Sequence, residues 1–242
     1  MEILGVNIYE NDKKRLISDF SLLKKGYICV TSVHGLVSAY ESKRINKAFE
    51  ESFANVPDGM PIVYYSKLIK SKQLDRITGP IFIYDILEMI NNQHKSLITV
   101  GSDEDTSIKF KTLLNERYPN IRYNAYDNSF INLENNTGFE SVLNFCKNNK
   151  AEYLFVFLST PKQDLLMNYL NSQINIKMIG FGAAIDYVTG KTKYAPKIIQ
   201  KLSLEWLYRL IQEPKRLYKR YMKIIPLFFY YLLISSFSKN KQ

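Results

Sequence analysis

Residues 153–158 read YLFVFL, an unbroken apolar run of strand length, and this stretch decides the fold class. Four further runs have the same strand-like character, and longer amphipathic stretches separate them from one another. These runs are YICVTSV (27–33), LITVG (97–101), IRYNAY (121–126) and KMIGFG (177–182).

The amphipathic stretches predict helices between these strands, around residues 36–51, 61–71, 82–93, 104–116, 138–148 and 162–173. Strands that alternate with helices imply crossover connections, which build a mainly parallel sheet with helices on both faces. We therefore expect an α/β, Rossmann-like fold. Ligands of such folds bind beyond the carboxyl ends of the strands, and we expect the site there.

Charge is distributed unevenly along the chain. The net charge is +10, and residues 191–242 hold twelve Lys or Arg but only two acids, so the remainder is neutral. From about residue 195 the pattern predicts continuous helix, on which Arg216 and Arg220 share a face. We expect an α/β core over residues 1–194 and a basic helical appendage over residues 195–242, whose charge indicates an anionic partner.

An apolar and aromatic run, IIPLFFYYLLI, occupies residues 224–234 of this appendage. It is well short of the ~20 residues that span a bilayer. One interpretation is that it lies in the membrane interface while the basic stripe faces anionic headgroups. The other is a helix packed on the core or on another subunit, and the two interpretations are compatible.

Cysteine usage and the first residues predict a cytosolic protein. Cys29 and Cys146 lie in apolar stretches and are expected to be buried free thiols, not a disulfide framework or a zinc site. The opening MEILGVNIYENDKK lacks the order of a signal peptide. Neither His34 nor His94 has a partner at metal-ligand or triad spacing, which argues against bound zinc and a hydrolase triad.

Residues capable of chemistry lie on loops at or near one edge of the predicted sheet. The aspartate of DGMP (58–61) can be a turn or capping residue, or a carboxylate that acts as general base. The arginine of RITGP (76–80) can cap a helix, be solvated, or clamp a diphosphate through paired hydrogen bonds. The candidates at this edge are Thr31, His34, Asp58, Arg76, Gln163 and Asp186.

The order and spacing of several motifs resemble the WecG/TagA/CpsF glycosyltransferases (glycosyltransferase family 26). The resemblance covers nearly the whole chain, from ILGVNI near the start to about Tyr221. The motifs that carry it are VTSVHGLVSAYES, VPDGMPIVYYSKL, RITGP, TPKQD, GFGAAIDYVTGKTKYAP and LSLEWLYRLIQEPKRLYKRY. The last two, correctly spaced from DGMP and PKQ, are the most specific.

The resemblance implies an inverting, metal-independent glycosyltransferase. It would move N-acetylmannosamine, a related sugar or a hexose from a UDP-sugar to an undecaprenyl-diphosphate-linked saccharide, in the synthesis of teichoic acid or another cell-surface polysaccharide. No cofactor and no metal are expected. The expected partners are the UDP-sugar, the polyprenyl-diphosphate-linked saccharide and an anionic membrane surface, and a homo-oligomer is left open. The expected location is peripheral, on the cytoplasmic face of the bacterial plasma membrane.

The same resemblance assigns roles to individual residues. Asp58 matches an aspartate proposed as the catalytic base of the family, and Asp186 matches the aspartate of an FDF-type motif. The positions that match the substrate pocket, or a C-terminal appendage that closes over the site, are Thr31, Arg76, Gln163, Arg209, Arg216 and Arg220.

The chain departs from the family pattern where donor and acceptor are recognised. The usual TxN reads Thr31-Ser32-Val33, so the pocket asparagine is missing and His34 is a candidate replacement. The aspartate usual after RxxG is also replaced, with Ile81 near that place. The identity of the donor sugar is therefore not carried over from the resemblance.

Two other classes of function remain open at this point. The changed pocket residues are compatible with a catalytically inactive, membrane-associated scaffold that retains the fold. The basic helices are compatible with nucleic-acid binding. We expect no nucleic-acid partner, because the basic segment leads into an apolar run that suits lipid better than a phosphate backbone.

Overall fold

A computed structural model describes residues 1–70, 74–126 and 137–239 of the chain. Six of the described strands form one sheet, and two short ones form a separate hairpin. The strands are β1 (Glu2–Ile3), β2 (Val6–Asn7), β3 (Gly26–Thr31), β4 (Ala54–Pro57), β5 (Ser96–Val100), β6 (Arg122–Tyr126), β7 (Tyr153–Val156) and β8 (Lys177–Gly180).

The six-stranded sheet has the order β4-β3-β8-β7-β5-β6, and each pair of neighbours is parallel. All of these strands therefore end at the same edge. The α/β, Rossmann-like fold predicted from the sequence is confirmed.

Helices connect the strands and cover both faces of the sheet. They are α1 (Lys13–Leu22), α2 (Val33–Glu41), α3 (Lys43–Glu50), α4 (Met60–Lys70), α5 (Gly79–Asn92), α6 (Glu104–Arg117), α7 (Thr137–Asn148), α8 (Lys162–Gln173), α9 (Ala184–Val188), α10 (Lys197–Lys201), α11 (Glu205–Gln212) and α12 (Pro214–Lys239). The stretch predicted as helix around residues 61–71 ends outside the described residues.

Alternate residues of each central strand enter opposite hydrophobic clusters, as the two-residue period of a strand requires. In β7, Leu154 and Val156 pack with helices α2, α3, α4, α7, α8 and α12. Tyr153 and Phe155 pack on the other face with α1, α5, α6 and α9. Both faces are thus buried, which explains why the strand is apolar at every position.

Strand β4, directly before Asp58, was not predicted from the sequence. All four residues of β4 are buried. Asn55 is accommodated because its amide donates to the carbonyl oxygens of Asn7 and Phe49, at 3.0 and 2.9 Å. A buried polar side chain with its hydrogen bonds satisfied does not break a strand, although it hides the apolar pattern.

The helix predicted over residues 36–51 is two helices, α2 and α3, separated at Ser42. This residue is extended (φ −141°, ψ 116°), and its hydroxyl accepts a hydrogen bond from the Ile45 N–H at 3.5 Å. Serine is a good N-cap because it satisfies an amide that the helix leaves free. The cap therefore ends one helix and begins the next.

Over the described residues 195–239 the appendage forms three helices, so the prediction of continuous helix from about residue 195 is wrong. Ser203, between α10 and α11, has a left-handed backbone (φ +60°). Glu213 lies outside helical geometry (φ −131°, ψ 60°) and is followed by Pro214. The helical conformation is sterically disfavoured for a residue before proline, which is consistent with α11 ending there and α12 beginning at the proline.

One face of α12 packs on the core of the protein, mainly against α2. Phe228 is 1% exposed, and Ile224 and Leu232, one turn to either side, are also buried. The Tyr231 hydroxyl donates to Glu41 at 2.8 Å. Packing of the apolar run on the core is therefore observed. Within the described ranges, no helix has both the length and the apolarity needed to cross a membrane.

Candidate active site

Asp58 lies directly beyond the carboxyl end of β4. Its backbone N–H donates to the Thr31 carbonyl oxygen at 2.9 Å, which continues the β3–β4 pairing by one residue. Helix α4 begins two residues later, at Met60. The side chain is 30% exposed, so the carboxylate is fixed by the sheet and still reaches solvent.

Arg76 lies beside this carboxylate, in the segment that precedes α5. One terminal nitrogen, Nη2, is 3.8 Å from Asp58 Oδ1. The other, Nη1, donates to Glu205 at the start of α11. The Nε atom is buried and makes no hydrogen bond to the described residues. The guanidinium is thus held between two carboxylates, with its buried Nε–H left without a partner among the described residues.

Arg209 brings a second guanidinium to the same place, one turn after Glu205 on α11. Its guanidinium lies over the ring of Tyr187, 5.5 Å from the ring centroid, a cation–π arrangement. Its Nε is likewise buried and without a hydrogen-bond partner among the described residues. Two unused guanidinium donors near one carboxylate form a site suited to an anionic group such as a diphosphate.

The pKa of Asp58 is raised above its ordinary value, chiefly because the surrounding protein atoms desolvate the carboxylate, although 30% of the side chain remains exposed. Arg76 and Arg209 oppose this shift, whereas Glu205 adds to it. A carboxylate whose pKa is raised holds a proton more strongly, and that makes it a better general base. Perturbed carboxylates of this kind concentrate at functional sites.

Thr31 is the last residue of β3, and Gln163 lies in the first turn of α8, after β7; both side chains are buried. The Gln163 side chain accepts from the Gly182 N–H at 2.9 Å and donates to the Thr160 hydroxyl at 3.3 Å. The Thr31 hydroxyl donates to the Cys29 carbonyl at 3.0 Å. The Gln163 side chain thus links the segments that follow β7 and β8 and forms a floor at this edge of the sheet.

Asp186, on α9, lies on the side of the site towards β5. Lys191 is 4.0 Å from its Oδ1 and also pairs with Asp103, the N-cap of α6. This pairing lowers the pKa of Asp103. The lysine thus ties the loop after α9 to the turn after β5.

His34 and Arg220 form a second group, apart from the Asp58 carboxylate. His34 is near the start of α2 and faces α12, where burial, Arg220 and Lys223 together lower its pKa and Glu41 opposes them. The side chain of Arg216 lies outside the described residues. The predicted arginines therefore act on different groups, because the charge of Arg209 acts on Asp58 and that of Arg220 acts on His34.

Two residues of the site carried no role in the sequence analysis. Glu205 was counted only as one of two acids in a basic segment, and Tyr187 only as part of a motif. A signal for Glu205 was present, since Glu205 and Arg209 are four apart and must share a helix face.

No group of three or more His, Cys, Asp or Glu side chains within the described ranges could hold a metal ion.

The carboxyl edge of the parallel sheet thus carries a carboxylate with a raised pKa and two guanidinium groups. This arrangement defines an enzyme-type site for an anionic substrate. The chain belongs to the glycosyl transferase WecG/TagA/CpsF family, whose model matches residues 1–242. This confirms the family resemblance drawn from the motifs.

Similar proteins include N-acetylglucosaminyldiphosphoundecaprenol N-acetyl-beta-D-mannosaminyltransferases of Staphylococcus aureus, from strains MW2 and NCTC 8325 / PS 47. Each is 31% identical to this chain over 176 residues, which is 72% of this chain and 66% of the relative. The alignment therefore spans slightly less than two thirds of the length of these relatives.

Proposed function

We propose that this protein transfers a sugar from a UDP-sugar to a saccharide carried on polyprenyl diphosphate. The observation that supports this most directly is the position of Asp58, at the strand edge and beside two guanidinium groups. The names of the relatives suggest N-acetylmannosamine as the sugar and N-acetylglucosaminyl-diphospho-undecaprenol as the acceptor. These are the first substrates to test.

In the proposed reaction, an acceptor hydroxyl attacks the anomeric carbon of the donor in a single displacement. The new carbon–oxygen bond forms as the bond to the diphosphate oxygen breaks, so the anomeric configuration inverts. Asp58 takes the proton of the hydroxyl. General-base assistance of this kind accelerates reactions by about 10²–10⁴.

The leaving UDP gains negative charge as that bond breaks, and fixed cations can stabilise the charge. Arg76 and Arg209 are the candidates, because each holds a buried Nε donor without a hydrogen-bond partner in the described structure. Guanidinium groups pair with phosphate oxygens through parallel hydrogen bonds. We therefore propose that the transfer requires no metal ion.

We further propose that the appendage holds the protein at the inner face of the plasma membrane. Large apolar side chains are exposed on the solvent side of α12, next to basic residues; they are Met222, Phe229, Tyr230, Leu233 and Ile234. Apolar side chains enter the headgroup boundary, and each nearby Lys or Arg adds about 1 kcal/mol at an anionic surface. The polyprenyl acceptor is embedded in the same surface.

The test is a substrate screen with purified full-length protein. UDP-sugars are mixed with undecaprenyl-diphosphate-linked mono- and disaccharides, with and without EDTA, and products are identified by mass spectrometry and by the NMR coupling of the new anomeric proton. We expect one donor to give a lipid-linked product with inverted configuration at equal rates in both conditions.

Three results would contradict the proposal in different ways. Loss of activity in EDTA would contradict metal independence alone, and a retained configuration would contradict the single displacement. Absence of any product, together with retained binding to acceptor-containing vesicles, would favour the inactive membrane scaffold.

A further inference from the structure

The Arg76 guanidinium is shared unequally between two carboxylates. Its contact with Glu205 is a direct hydrogen bond, whereas its Nη2 stops 3.8 Å from Asp58 Oδ1, beyond hydrogen-bond distance. Asp58 and Arg76 belong to the α/β core, and Glu205 belongs to α11 of the appendage. An acid of the appendage therefore competes with the candidate base for one cation.

We propose that Glu205 is a positioning residue for the catalytic centre, which prevents Arg76 from closing into a full ion pair with Asp58. The inference deepens the proposed function, because it explains how a carboxylate beside an arginine stays available to accept a proton. A fully paired carboxylate would hold its hydrogen-bonding lone pairs towards the guanidinium instead of the acceptor hydroxyl.

Removal of Glu205 has a predictable consequence for Arg76. The guanidinium would lose its partner and could move about 1 Å towards Asp58, to the ~2.8 Å of a charge-assisted hydrogen bond. An opposite charge within ~4–6 Å lowers a carboxyl pKa by about 1–3 units, so a closer approach of Arg76 should lower the pKa of Asp58 further. Loss of the Glu205 charge itself acts in the same direction, since Glu205 now helps to raise the pKa of Asp58.

The other groups that act on Asp58 determine the direction in which each control variant should shift its pKa. Arg209, on the same helix as Glu205, lowers the pKa of Asp58, and a hydrogen bond from the Gly79 backbone does the same. The Tyr187 phenol on α9 also interacts with the Asp58 charge, and its own pKa is raised, mainly by burial. Removing Arg209 should therefore raise the pKa of Asp58, whereas removing Glu205 should lower it.

The contact also links the appendage to the base. The Tyr64 hydroxyl of α4 donates to the Ser203 hydroxyl at 3.1 Å, just before α11 begins. The segment that carries Glu205 thus rests on the helix that starts immediately after Asp58. Asp58 is therefore surrounded by Glu205 and Arg209 only when this part of the appendage is packed against the core.

The test is a titration of Asp58 in the full-length protein, by NMR of selectively 13C-labelled aspartate carboxyls, with Asp58→Asn used to assign the signal. We expect Glu205→Gln to lower the pKa of Asp58 by about 1 unit and Arg209→Gln to raise it. Glu205→Asp, which keeps the charge, should restore part of the difference. Glu116→Gln is the control, because Glu116 is an exposed acid near the end of α6 and is not among the charges that act on Asp58.

Fluorescence of Trp206 shows whether α11 has stayed in place, because this is the only tryptophan of the chain and adjoins Glu205. An unchanged or raised pKa of Asp58 in Glu205→Gln, with unchanged fluorescence, would overturn the inference. The titration requires no substrate, so it can succeed or fail independently of the proposed reaction. Where transfer is measurable, the acidic limb of the kcat/KM profile should move to lower pH in Glu205→Gln.

Discussion

Two adjacent phenylalanines of α12 provide a direct test of how the appendage is used. Phe228 is 1% exposed and packs in the hydrophobic cluster that includes α2, whereas Phe229 is 54% exposed. The same substitution, phenylalanine to alanine, therefore removes a core contact at one position and a solvent-facing ring at the next.

The expected magnitudes differ because the environments differ. Truncation of a buried phenylalanine costs about 3–5 kcal/mol, from lost burial and from the cavity that remains. A surface substitution changes the free energy of unfolding by about 0.5 kcal/mol or less. On a membrane the order of the two effects reverses. Burying a phenylalanine contributes ~1.5–3 kcal/mol, and roughly half of this is available to the half-exposed Phe229, or about a 4- to 12-fold change in binding.

Both quantities can be measured on the same preparations. Urea denaturation followed by circular dichroism gives the free energy of unfolding, and sedimentation with vesicles containing anionic lipid gives the membrane affinity. We expect Phe228→Ala to lose stability, and Phe229→Ala to keep its stability while binding vesicles more weakly. Equal stability losses in the two variants, or vesicle binding unaffected by Phe229→Ala, would refute the division of α12 into a core face and a membrane face.

Two further predictions concern α8 and its neighbours. Burial raises the pKa of Asp164 from 3.8 to about 6. Because its pKa is higher in the folded state, the proton of Asp164 stabilises that state fully below pH 3.8. This stabilisation is lost as the pH rises through about 6. Asp164→Asn should therefore gain about 1.4 kcal/mol relative to wild type between pH 5 and pH 8, measured by urea denaturation. A difference that stays constant with pH would contradict this. Gly180→Ala would place a methyl group 2.9 Å from Gln163 Cδ and 2.7 Å from Met167 Cε. We expect this substitution to displace Gln163 from Gly182, destabilise the protein by about 1–3 kcal/mol and raise KM. Unchanged stability and KM would show that Gln163 and Met167 can move aside at no cost.

The sheet could be predicted because the central strands are buried on both faces. YLFVFL and KMIGFG are apolar for that reason alone, and their alternation with helices determines the parallel topology. Strand β4 was not predicted because the polar Asn55 interrupts its apolar pattern. The hydrogen bonds to Asn7 and Phe49 that allow Asn55 to be buried exist only in the folded chain. No local pattern records a contact of that kind.

In the candidate site, likewise, some features could be predicted from the sequence and others could not. Asp58, Gln163 and Thr31 could be placed at one edge because each follows or ends a strand. Their environments could not be predicted, since the pKa of Asp58 depends on α11, which follows it by nearly 150 residues and folds back onto the site. The pairing of Arg76 with Glu205 is a tertiary contact, invisible to periodicity and spacing.

The most direct test of the central claim is the single-turnover rate of Asp58→Asn with the donor and acceptor identified by the screen. Asparagine preserves the shape of the side chain but cannot accept the proton. Asp19→Asn, in an exposed aspartate of α1 that pairs with Arg15, is the control. We expect the rate of Asp58→Asn to fall by about 10²–10⁴ while donor binding is retained, and the control to match wild type. A rate within a few-fold of wild type would show that Asp58 is not the base.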